Sequence, residues 1–422
     1  MSPDVPPSAD PGPPAAAPSR LRVLFIGEGA TLAHAARPLA LASALPRGRF
    51  EISIATPERY RSWAPAHARW LPLDAQAPEA FAERLRRGQP VFSLSRLEAY
   101  FAEDLKLIEQ TRPHVVVGDL RLSLAASARA AGVPYVSISN AYWSPDRPLR
   151  PIRPVVDRLR GWPAPAANLA FHASAAMVLG WHARPVDELM TSRGLKGVGR
   201  DLRRAFTEAD VTLYADIPAL FPEVPETPRR RFMGPVVWEP PVAHPAWWDR
   251  LPANKPMAYV TLGSSGEIHQ LGQITGWLTE MGYAVVLATA GRAEIHGDDE
   301  TVFVADYLPG LAACDRADLV VCNGGSPTAT QALLKGRPVL GIASNIDQML
   351  NIRAVQAQGA GRVLRADAVS RGRFEAAVNR LSGFRAMKAA ATFAAGPEPP
   401  DPARVLAAVI QELAAPEADQ PG

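Results

Sequence analysis

Short apolar runs alternate with helical patterns through most of the chain. In the first half, a run at residues 21–27 ends in glycine and is followed by a helical pattern at 34–44 and a second apolar run at 50–55. Uninterrupted apolar strands that alternate with helices are typical of parallel sheets covered on both faces. The same pattern predicts further strands at 115–118, 134–138 and 211–215 and a helix at 123–131. We therefore expect an α/β domain with a doubly wound parallel sheet.

A second series of the same kind begins at residue 257. It predicts strands at 257–262, 284–288, 302–305, 318–322 and 338–342 and a last helix at 404–413. A chain of 422 residues is also too long for one ordinary core. A proline-rich segment without periodicity separates the two series, as is typical of a linker. We predict a disordered Pro/Ala-rich tail (1–20), a first Rossmann-like domain (21–236), a linker (237–255), a second Rossmann-like domain (256–400), a C-terminal helix (401–415) and a polar tail (416–422).

Composition narrows the class of protein. Hydrophobic residues make up 47% of the chain and charged residues 21%, as in soluble globular proteins. The net charge of +3 gives no basic footprint for nucleic acid. Cys314 and Cys322 are expected to be buried thiols, not a disulfide or a metal pair, which suits a reducing cytoplasm. The first residues do not resemble a signal peptide, and no stretch reaches the ~20 apolar residues that cross a bilayer.

Residues 318–348 contain the most specific chemical pattern. An apolar strand leads into Gly324-Gly325 and a helix at 328–335, and Asp347-Gln348 follows the next strand. The free N–H groups at a helix start, with the positive end of its dipole, suit a phosphate without a lysine or a metal. Two glycines before a helix also occur where a helix and a strand simply pack closely. The glycine turn alone therefore leaves both interpretations open.

Two polar residues, His34 and Asp119, follow apolar strands of the first domain. Because the carboxyl ends of strands in a doubly wound sheet face one crevice, Asp119 can approach His34. A carboxylate on one imidazole nitrogen fixes the tautomer and stabilises the imidazolium. Alternatively, Asp119 caps the helix that begins near Ser123 or pairs with Arg121.

Together these segments resemble the nucleotide-sugar signature of the family 1 glycosyltransferases, which include UDP-glycosyltransferases and macrolide glycosyltransferases. The family's signature has a His-Gly-Gly turn, a ribose-binding acidic residue and an Asp-Gln pair. The matching positions here are Asn323-Gly324-Gly325, Gln331 and Asp347-Gln348. Asn323 is the clearest departure, because asparagine can donate a hydrogen bond but cannot become cationic.

The start of the first domain is similar to the same family. The segment GEGATLAHAARPLALA resembles the family's Gly-His-x-x-Pro opening, although Ala33 and Arg37 replace the glycine and the proline. The resemblance implies a GT-B fold, in which two Rossmann-like domains with doubly wound parallel sheets face a central cleft. It also implies His34 as the catalytic base and Asp119 as the residue that orients it. Without the family pattern, a single histidine near a helix start is commonly structural.

For the donor, the resemblance implies inverting, metal-independent transfer of a hexose from a UDP- or dTDP-sugar. The nucleotide sugar is then a co-substrate, and neither a cofactor nor a metal is expected. Ser264-Ser265 resemble a loop near the donor phosphates, and Tyr307 begins an aromatic-x-Pro element that packs on the nucleobase, with a buried aromatic as the alternative. The implied donor-binding residues are Ser264, Ser265, Tyr307, Asn323, Gly324, Gly325, Ser326, Thr328, Gln331, Asp347 and Gln348.

The acceptor side is marked by aromatic residues of the first domain. They predict a site for the hydroxyl of a small apolar, lipid or secondary-metabolite acceptor: Tyr142, Trp143, Phe171 and Trp181. The arginines between residues 147 and 160 attract an acidic or lipid-linked acceptor, or seat the protein on the inner face of an anionic membrane. The alternative is a surface loop whose aromatic residues pack into the domain. We expect a monomer or a homodimer.

Two alternatives to a transferase are kept. A non-catalytic protein on the same fold, which binds and activates a partner enzyme, predicts an open or blocked donor site, or His34 and Asp119 far apart. A sugar-nucleotide epimerase predicts an acidic pair over the sugar ring and turnover without an acceptor.

Overall fold

The computed structural model describes residues 20–148, 152–159, 161–263 and 266–415. Its first half contains a seven-stranded sheet in which each strand is parallel to its neighbours. The strands are β1 (Leu21–Gly27), β2 (Phe50–Thr56), β3 (Arg69–Pro72), β4 (Val115–Asp119), β5 (Tyr135–Ser139), β6 (Val211–Tyr214) and β7 (Arg230–Phe232). Their order across the sheet is β3-β2-β1-β4-β5-β6-β7.

The second half contains a six-stranded sheet that is also parallel throughout. Its strands are β8 (Met257–Thr261), β9 (Ala284–Ala288), β10 (Val302–Ala305), β11 (Leu319–Cys322), β12 (Val339–Ala343) and β13 (Gly361–Arg365). Their order is β10-β9-β8-β11-β12-β13. The predicted fold class, two doubly wound parallel sheets, is confirmed.

Helices cover the faces of both sheets. In the first half they are α1 (Leu32–Ala44), α2 (Pro78–Arg86), α3 (Leu94–Thr111), α4 (Leu124–Ala130), α5 (Ala164–Thr191) and α6 (Leu202–Thr207). In the second half they are α7 (Leu271–Glu280), α8 (Gly310–Arg316), α9 (Ser326–Leu334), α10 (Ile346–Ala357), α11 (Arg371–Leu381), α12 (Phe384–Ala395) and α13 (Pro402–Ala414). None of the helices in the described ranges is both long and apolar enough to cross a membrane.

Strand order reverses once in each sheet, between β1 and β4 and between β8 and β11. Gly27 pairs with Asp119 across the first reversal, and Thr261 pairs with Cys322 across the second. The loops that follow these strands therefore lie side by side. Ligands of doubly wound sheets bind in the crevice outside such a reversal. The predicted catalytic residues lie at the first reversal, with His34 after β1 and Asp119 at the end of β4. The predicted donor-binding turn, Asn323-Gly324-Gly325, follows β11 at the second reversal.

Three strands were not predicted, and all lie at sheet edges. β3 reads RWLP, β7 reads RRF and β13 reads GRVLR. An edge strand pairs on one side only, so it tolerates charged side chains that hide the apolar pattern. The first series consequently continues past residue 215, where the sequence predicted its end.

Two segments pack more closely than their sequences indicated. In the predicted linker, Trp247 is buried, its ring lies 5.5 Å from that of Phe303, and it donates a hydrogen bond into the second half. The last helix, α13, returns to the first half and buries Val409 in the core beside β1. Arg231 and Glu412 add an ion pair at 2.8 Å. The chain therefore crosses between the halves twice.

Candidate active site

A central cavity of about 740 Å³ is lined by residues of both halves. The first half contributes His34 and Asp119, and the second contributes the turn before α9 and the start of α10. Most of the wall is apolar, and a smaller number of polar side chains line it. This is the usual composition of a small-molecule site.

His34 and Asp119 form a direct pair at the reversal of the first sheet. Asp119 is the last residue of β4, and His34 lies in the first turn of α1, which follows β1. His34 Nδ1 and Asp119 Oδ1 are 2.7 Å apart. Because an ionised carboxylate only accepts hydrogen bonds, Nδ1 donates and the lone pair of Nε2 is available. This arrangement can take a proton from a group in the cavity.

The sequence had left three interpretations of Asp119 open, and two of them are wrong. The N-cap of α4 is Ser123, which makes no side-chain cap hydrogen bond, and the Asp119 oxygens contact His34 and Arg37. Arg121 is buried and pairs with Asp104, at 2.9 Å. Of the two signs expected of a non-catalytic protein, the wide separation of His34 and Asp119 is absent, because the two side chains are 2.7 Å apart.

Arg37 is a third member of this cluster, and the sequence did not identify it as a site residue. It is buried, and its Nε and Nη2 donate to both oxygens of Asp119 at 2.7 and 2.8 Å. Burial alone would lower the pKa of Arg37, but the Asp119 carboxylate outweighs burial and raises it. Nη2 also lies 3.1 Å from His34 Nδ1. The i,i+3 spacing of His34 and Arg37 on α1 was the signal available in the sequence.

From Arg37 a hydrogen-bonded chain crosses to the second half. Arg37 Nη1 donates to Asn140 Oδ1 at 2.9 Å, and Asn140 Nδ2 donates to Asp216 Oδ1 at 2.9 Å. Ser326, the first residue of α9, contacts the same Asp216 oxygen at 3.4 Å. Burial raises the pKa of Asp216 to about 6. The His34–Asp119 pair and the start of α9 are thus joined through Arg37, Asn140 and Asp216. Sequence analysis also missed Asn140 and Asp216.

The glycine turn before α9 has the geometry that an anion site needs. Gly324 has φ +82°, and a Cβ there would lie 3.2 Å from a backbone oxygen, so a larger residue is strained. Gly325, Ser326 and Thr328 line the cavity with the start of the helix. Asn323 Oδ1 accepts from the Gly325 N–H at 2.9 Å, so this side chain holds the turn. Ser264 and Ser265 lie outside the described residues.

Two residues that were predicted to contact the nucleotide, Gln331 and Tyr307, line the part of the cavity formed by the second half of the chain. Gln331 is buried, contacts the backbone of Gly310 and donates to the Trp238 carbonyl at 3.4 Å. Tyr307 is 39% exposed, and its hydroxyl donates to the Ala290 carbonyl at 3.2 Å. The alternative of a buried aromatic at position 307 is therefore wrong. Both side chains border the cavity.

The Asp347-Gln348 pair lies at the start of α10, and its two members differ. Asp347 Oδ1 accepts a hydrogen bond from Trp143 Nε1 at 2.9 Å, directly across the cleft. Gln348 is buried, and its Oε1 accepts from the N–H and the hydroxyl of Ser344 at 2.8 and 3.0 Å. Both line the cavity, but Asp347 is the member that reaches the opposite half.

Of the predicted acceptor residues, three line the cavity and one does not. Tyr142, Trp143 and Phe171 are buried and border it. Burial raises the pKa of Tyr142 well above its usual value, and Asp347 and Asp216 add to the rise. Trp181 is 42% exposed on the outer side of α5, so its assignment to the acceptor site is wrong. Helix α5 is apolar on two sides, so the sequence did not define which side is buried.

Both cysteines are buried free thiols, as predicted. Burial raises the pKa of Cys322 to about 12. Among the residues that the structure describes, no group of three His, Cys, Asp or Glu side chains is arranged to hold a metal ion.

Known proteins resemble this chain in sequence and in fold. A family model for the erythromycin biosynthesis protein CIII-like C-terminal domain matches residues 277–412. The PGL/p-HBAD biosynthesis glycosyltransferase of Mycobacterium tuberculosis is 40% identical over 396 residues, which cover 91% of this chain and 92% of that protein. The PGL/p-HBAD biosynthesis rhamnosyltransferase of the same species is 40% identical over 369 residues, covering 87% of this chain and 82% of the relative.

Solved structures share the architecture at lower identity. The glycotransferase of kitacinnamycin superposes with a TM-score of 0.67 at 19% identity, covering 94% of this chain and 100% of that one. The spinosyn rhamnosyltransferase SpnG, complexed with thymidine diphosphate, superposes with a TM-score of 0.65 at 19% identity, covering 92% of this chain and 100% of SpnG. The predicted GT-B fold is confirmed.

Proposed function

The chain belongs to the family of the PGL/p-HBAD biosynthesis glycosyltransferases, and we propose that it moves a hexose with inversion from a nucleoside-diphosphate sugar to an acceptor hydroxyl. It is a nucleotide-sugar-dependent glycosyltransferase, which confirms the family resemblance seen in the sequence. The donor, the stereochemistry and the acceptor are the parts that we propose.

One observation carries the proposal: the His34–Asp119 pair and the start of α9 line the same cavity from opposite halves. An acceptor hydroxyl next to His34 Nε2 gives its proton to the imidazole as its oxygen attacks the anomeric carbon. The bond from that carbon to the diphosphate breaks on the opposite side, so the configuration inverts. Asp119 stabilises the imidazolium that forms.

The departing diphosphate is stabilised by the start of α9. Backbone N–H groups there and the positive end of the helix dipole lower the energy of the developing negative charge. Pro327 in the first turn removes one donor but keeps the helix geometry. This requires neither a metal nor a cationic side chain at Asn323, which instead fixes the turn through its hydrogen bond to Gly325.

We propose a dTDP-linked 6-deoxyhexose as the first donor to test, with its UDP counterpart as the alternative. The support is that one relative at 40% identity is a rhamnosyltransferase, and that a structural neighbour was complexed with thymidine diphosphate. With such a donor in the cavity, Gln331 would border the ribose, Tyr307 the nucleobase and Asp347 the hydroxyls of the hexose. Trp143, bonded to Asp347, would couple sugar binding to the acceptor side.

We propose an apolar acceptor because the first-half wall of the cavity is largely apolar. Phe171 and Leu179 of α5, Phe81 of α2 and Val156 line it. An acceptor that presents one hydroxyl at His34 and buries an apolar body against this wall matches the cavity's chemistry.

The test combines nucleotide binding with turnover. The melting temperature is measured with UDP and dTDP, because a ligand that binds only the folded state raises it. Transfer from UDP- and dTDP-sugars to phenolic and long-chain alcohol acceptors is then followed by mass spectrometry. Transfer that needs His34 supports the proposal. A His34→Ala protein as active as the parent, or turnover of the donor without an acceptor, contradicts it.

A further inference from the structure

Helix α5 has two apolar sides, and the proposed function uses only one of them. Its inner side borders the cavity through Phe171, Val178 and Leu179. Its outer side carries Leu169 and Met177, which are 73% and 72% exposed, and Trp181. Trp162, just before the helix, is 53% exposed. We call Trp162, Leu169, Met177 and Trp181 the α5 outer face.

The α5 outer face is unusual for a water-facing surface. Residues 161–183 contain no Asp, Glu, Lys or Arg. At 1.5 Å per residue the helical part of the face extends over roughly 18 Å, from Leu169 to Trp181. A group of large exposed apolar side chains marks an interaction site, whereas single ones need no explanation.

The segment before the helix is basic. Residues 144–160 include Arg147, Arg150, Arg153, Arg158 and Arg160, against Asp146 and Asp157. Asp146 pairs with Arg230, Asp157 with Arg86, and Arg147 with Glu223. Among the described members, Arg158 is exposed four residues before Trp162, and Arg153 donates to Asn168 of α5 at 2.9 Å.

We propose that the α5 outer face docks on an anionic lipid bilayer. An uncharged apolar helix side beside a cationic segment is the chemistry that binds the interface of such a membrane. The described helix is not apolar enough to cross a bilayer, so it lies along the surface. Because the opposite side of α5 lines the proposed acceptor site, docking places that site next to the lipid phase, from which an apolar acceptor would enter.

The test is vesicle co-sedimentation of the full chain. Vesicles of phosphatidylcholine alone are compared with vesicles that also contain phosphatidylglycerol. We expect stronger binding to the anionic vesicles and a loss of about tenfold or more in the partition coefficient for Leu169→Ser/Met177→Ser. The matched control is Phe384→Ser, because Phe384 is 78% exposed on α12 of the other half. It should bind as the parent does.

The proposal that an acceptor enters from the membrane rests on the proposed function. The binding assay itself needs neither donor nor acceptor, so its result is independent of whether the protein transfers a sugar. Absence of binding to anionic vesicles overturns it, as does a double variant that binds like the parent. Light scattering tests whether a second copy of the chain, and not a membrane, covers the α5 outer face. If the parent is a dimer without lipid and the double variant a monomer, the α5 outer face is an interface between copies of the chain, and the proposal is wrong.

Discussion

Replacing Asp119 by asparagine tests the proposed base most sharply, because three hydrogen-bond donors converge on this carboxylate. His34 Nδ1 and Arg37 Nη2 both reach Oδ1, at 2.7 and 2.8 Å, and Arg37 Nε reaches Oδ2 at 2.7 Å. An amide has one oxygen and one NH₂ group of the same shape. With its oxygen in the Oδ1 position the NH₂ group faces Arg37 Nε, and with its oxygen in the Oδ2 position it faces both His34 Nδ1 and Arg37 Nη2, so at least one donor loses its acceptor.

The expected consequence is a large loss of kcat. If the amide oxygen takes the Oδ2 position, His34 faces NH₂ and changes tautomer, so Nε2 carries the proton and cannot act as a base. If it takes the Oδ1 position, the tautomer is kept but the imidazolium that forms has no carboxylate to stabilise it. We expect kcat to fall by ~10²–10⁴-fold, the range that general-base catalysis contributes and within which a comparable Asp-to-Asn change falls. The affinity for dTDP should stay within about twofold, because Asp119 lies on the acceptor side of the cleft.

Stability needs its own control, since Asp119→Asn also strands the buried Arg37 guanidinium. Removing one partner of a buried pair typically costs about 3–5 kcal/mol. The variant Arg37→Met/Asp119→Asn removes the stranded charge, so it should unfold at higher urea than Asp119→Asn while staying below the parent in kcat. Parent-like kcat in Asp119→Asn, with a normal melting curve, would refute the reasoning. So would losses that simply multiply in the His34→Ala/Asp119→Asn protein.

Two further predictions follow from other residues. Because burial raises the pKa of Asp216 from 3.8 to about 6, folded Asp216 holds a proton between these pH values that the unfolded chain has released. The stability that this bound proton contributes is therefore present below about pH 4 and is lost as pH rises through 6. In urea titrations over this pH range, the parent should lose up to ~3 kcal/mol of unfolding free energy relative to Asp216→Asn. Equal pH dependence of stability in the two proteins would overturn the assignment. Gly324→Ala should cost ~1–3 kcal/mol and weaken dTDP binding, because φ is +82° and a Cβ would press on Gln348 and Ile352, whereas Gly276→Ala, on α7 with open space around it, should be neutral or stabilising.

The alternation of apolar runs and helices was sufficient to predict the two sheets. Strands such as β4 and β11 are buried on both faces, so their sequences are continuously apolar and the signal is strong. The edge strands β3, β7 and β13 carry charged residues and gave no such signal. The predicted linker was defined by its prolines, but Trp247 docks on the second half, a tertiary contact that composition does not indicate.

The proximity of His34 and Asp119 followed from sheet topology, since both come after strands at the order reversal. Arg37 could not be assigned in the same way, because its partners lie on β4 and in the loop after β5. Asp216 lies beyond β6, and its contact with Ser326 depends on how the two halves close. Trp181 was placed on the wrong side of α5, because a helix with two apolar sides gives no unique inward direction.

The anomeric configuration of the product tests the central claim most directly. A donor of defined configuration is turned over with an acceptor, and the anomeric coupling constants of the isolated glycoside are read by NMR. Direct attack by a hydroxyl that His34 deprotonates predicts a product of configuration opposite to that of the donor. A product that retains the donor's configuration would contradict the account, because attack on the face opposite the departing diphosphate can only invert the anomeric carbon.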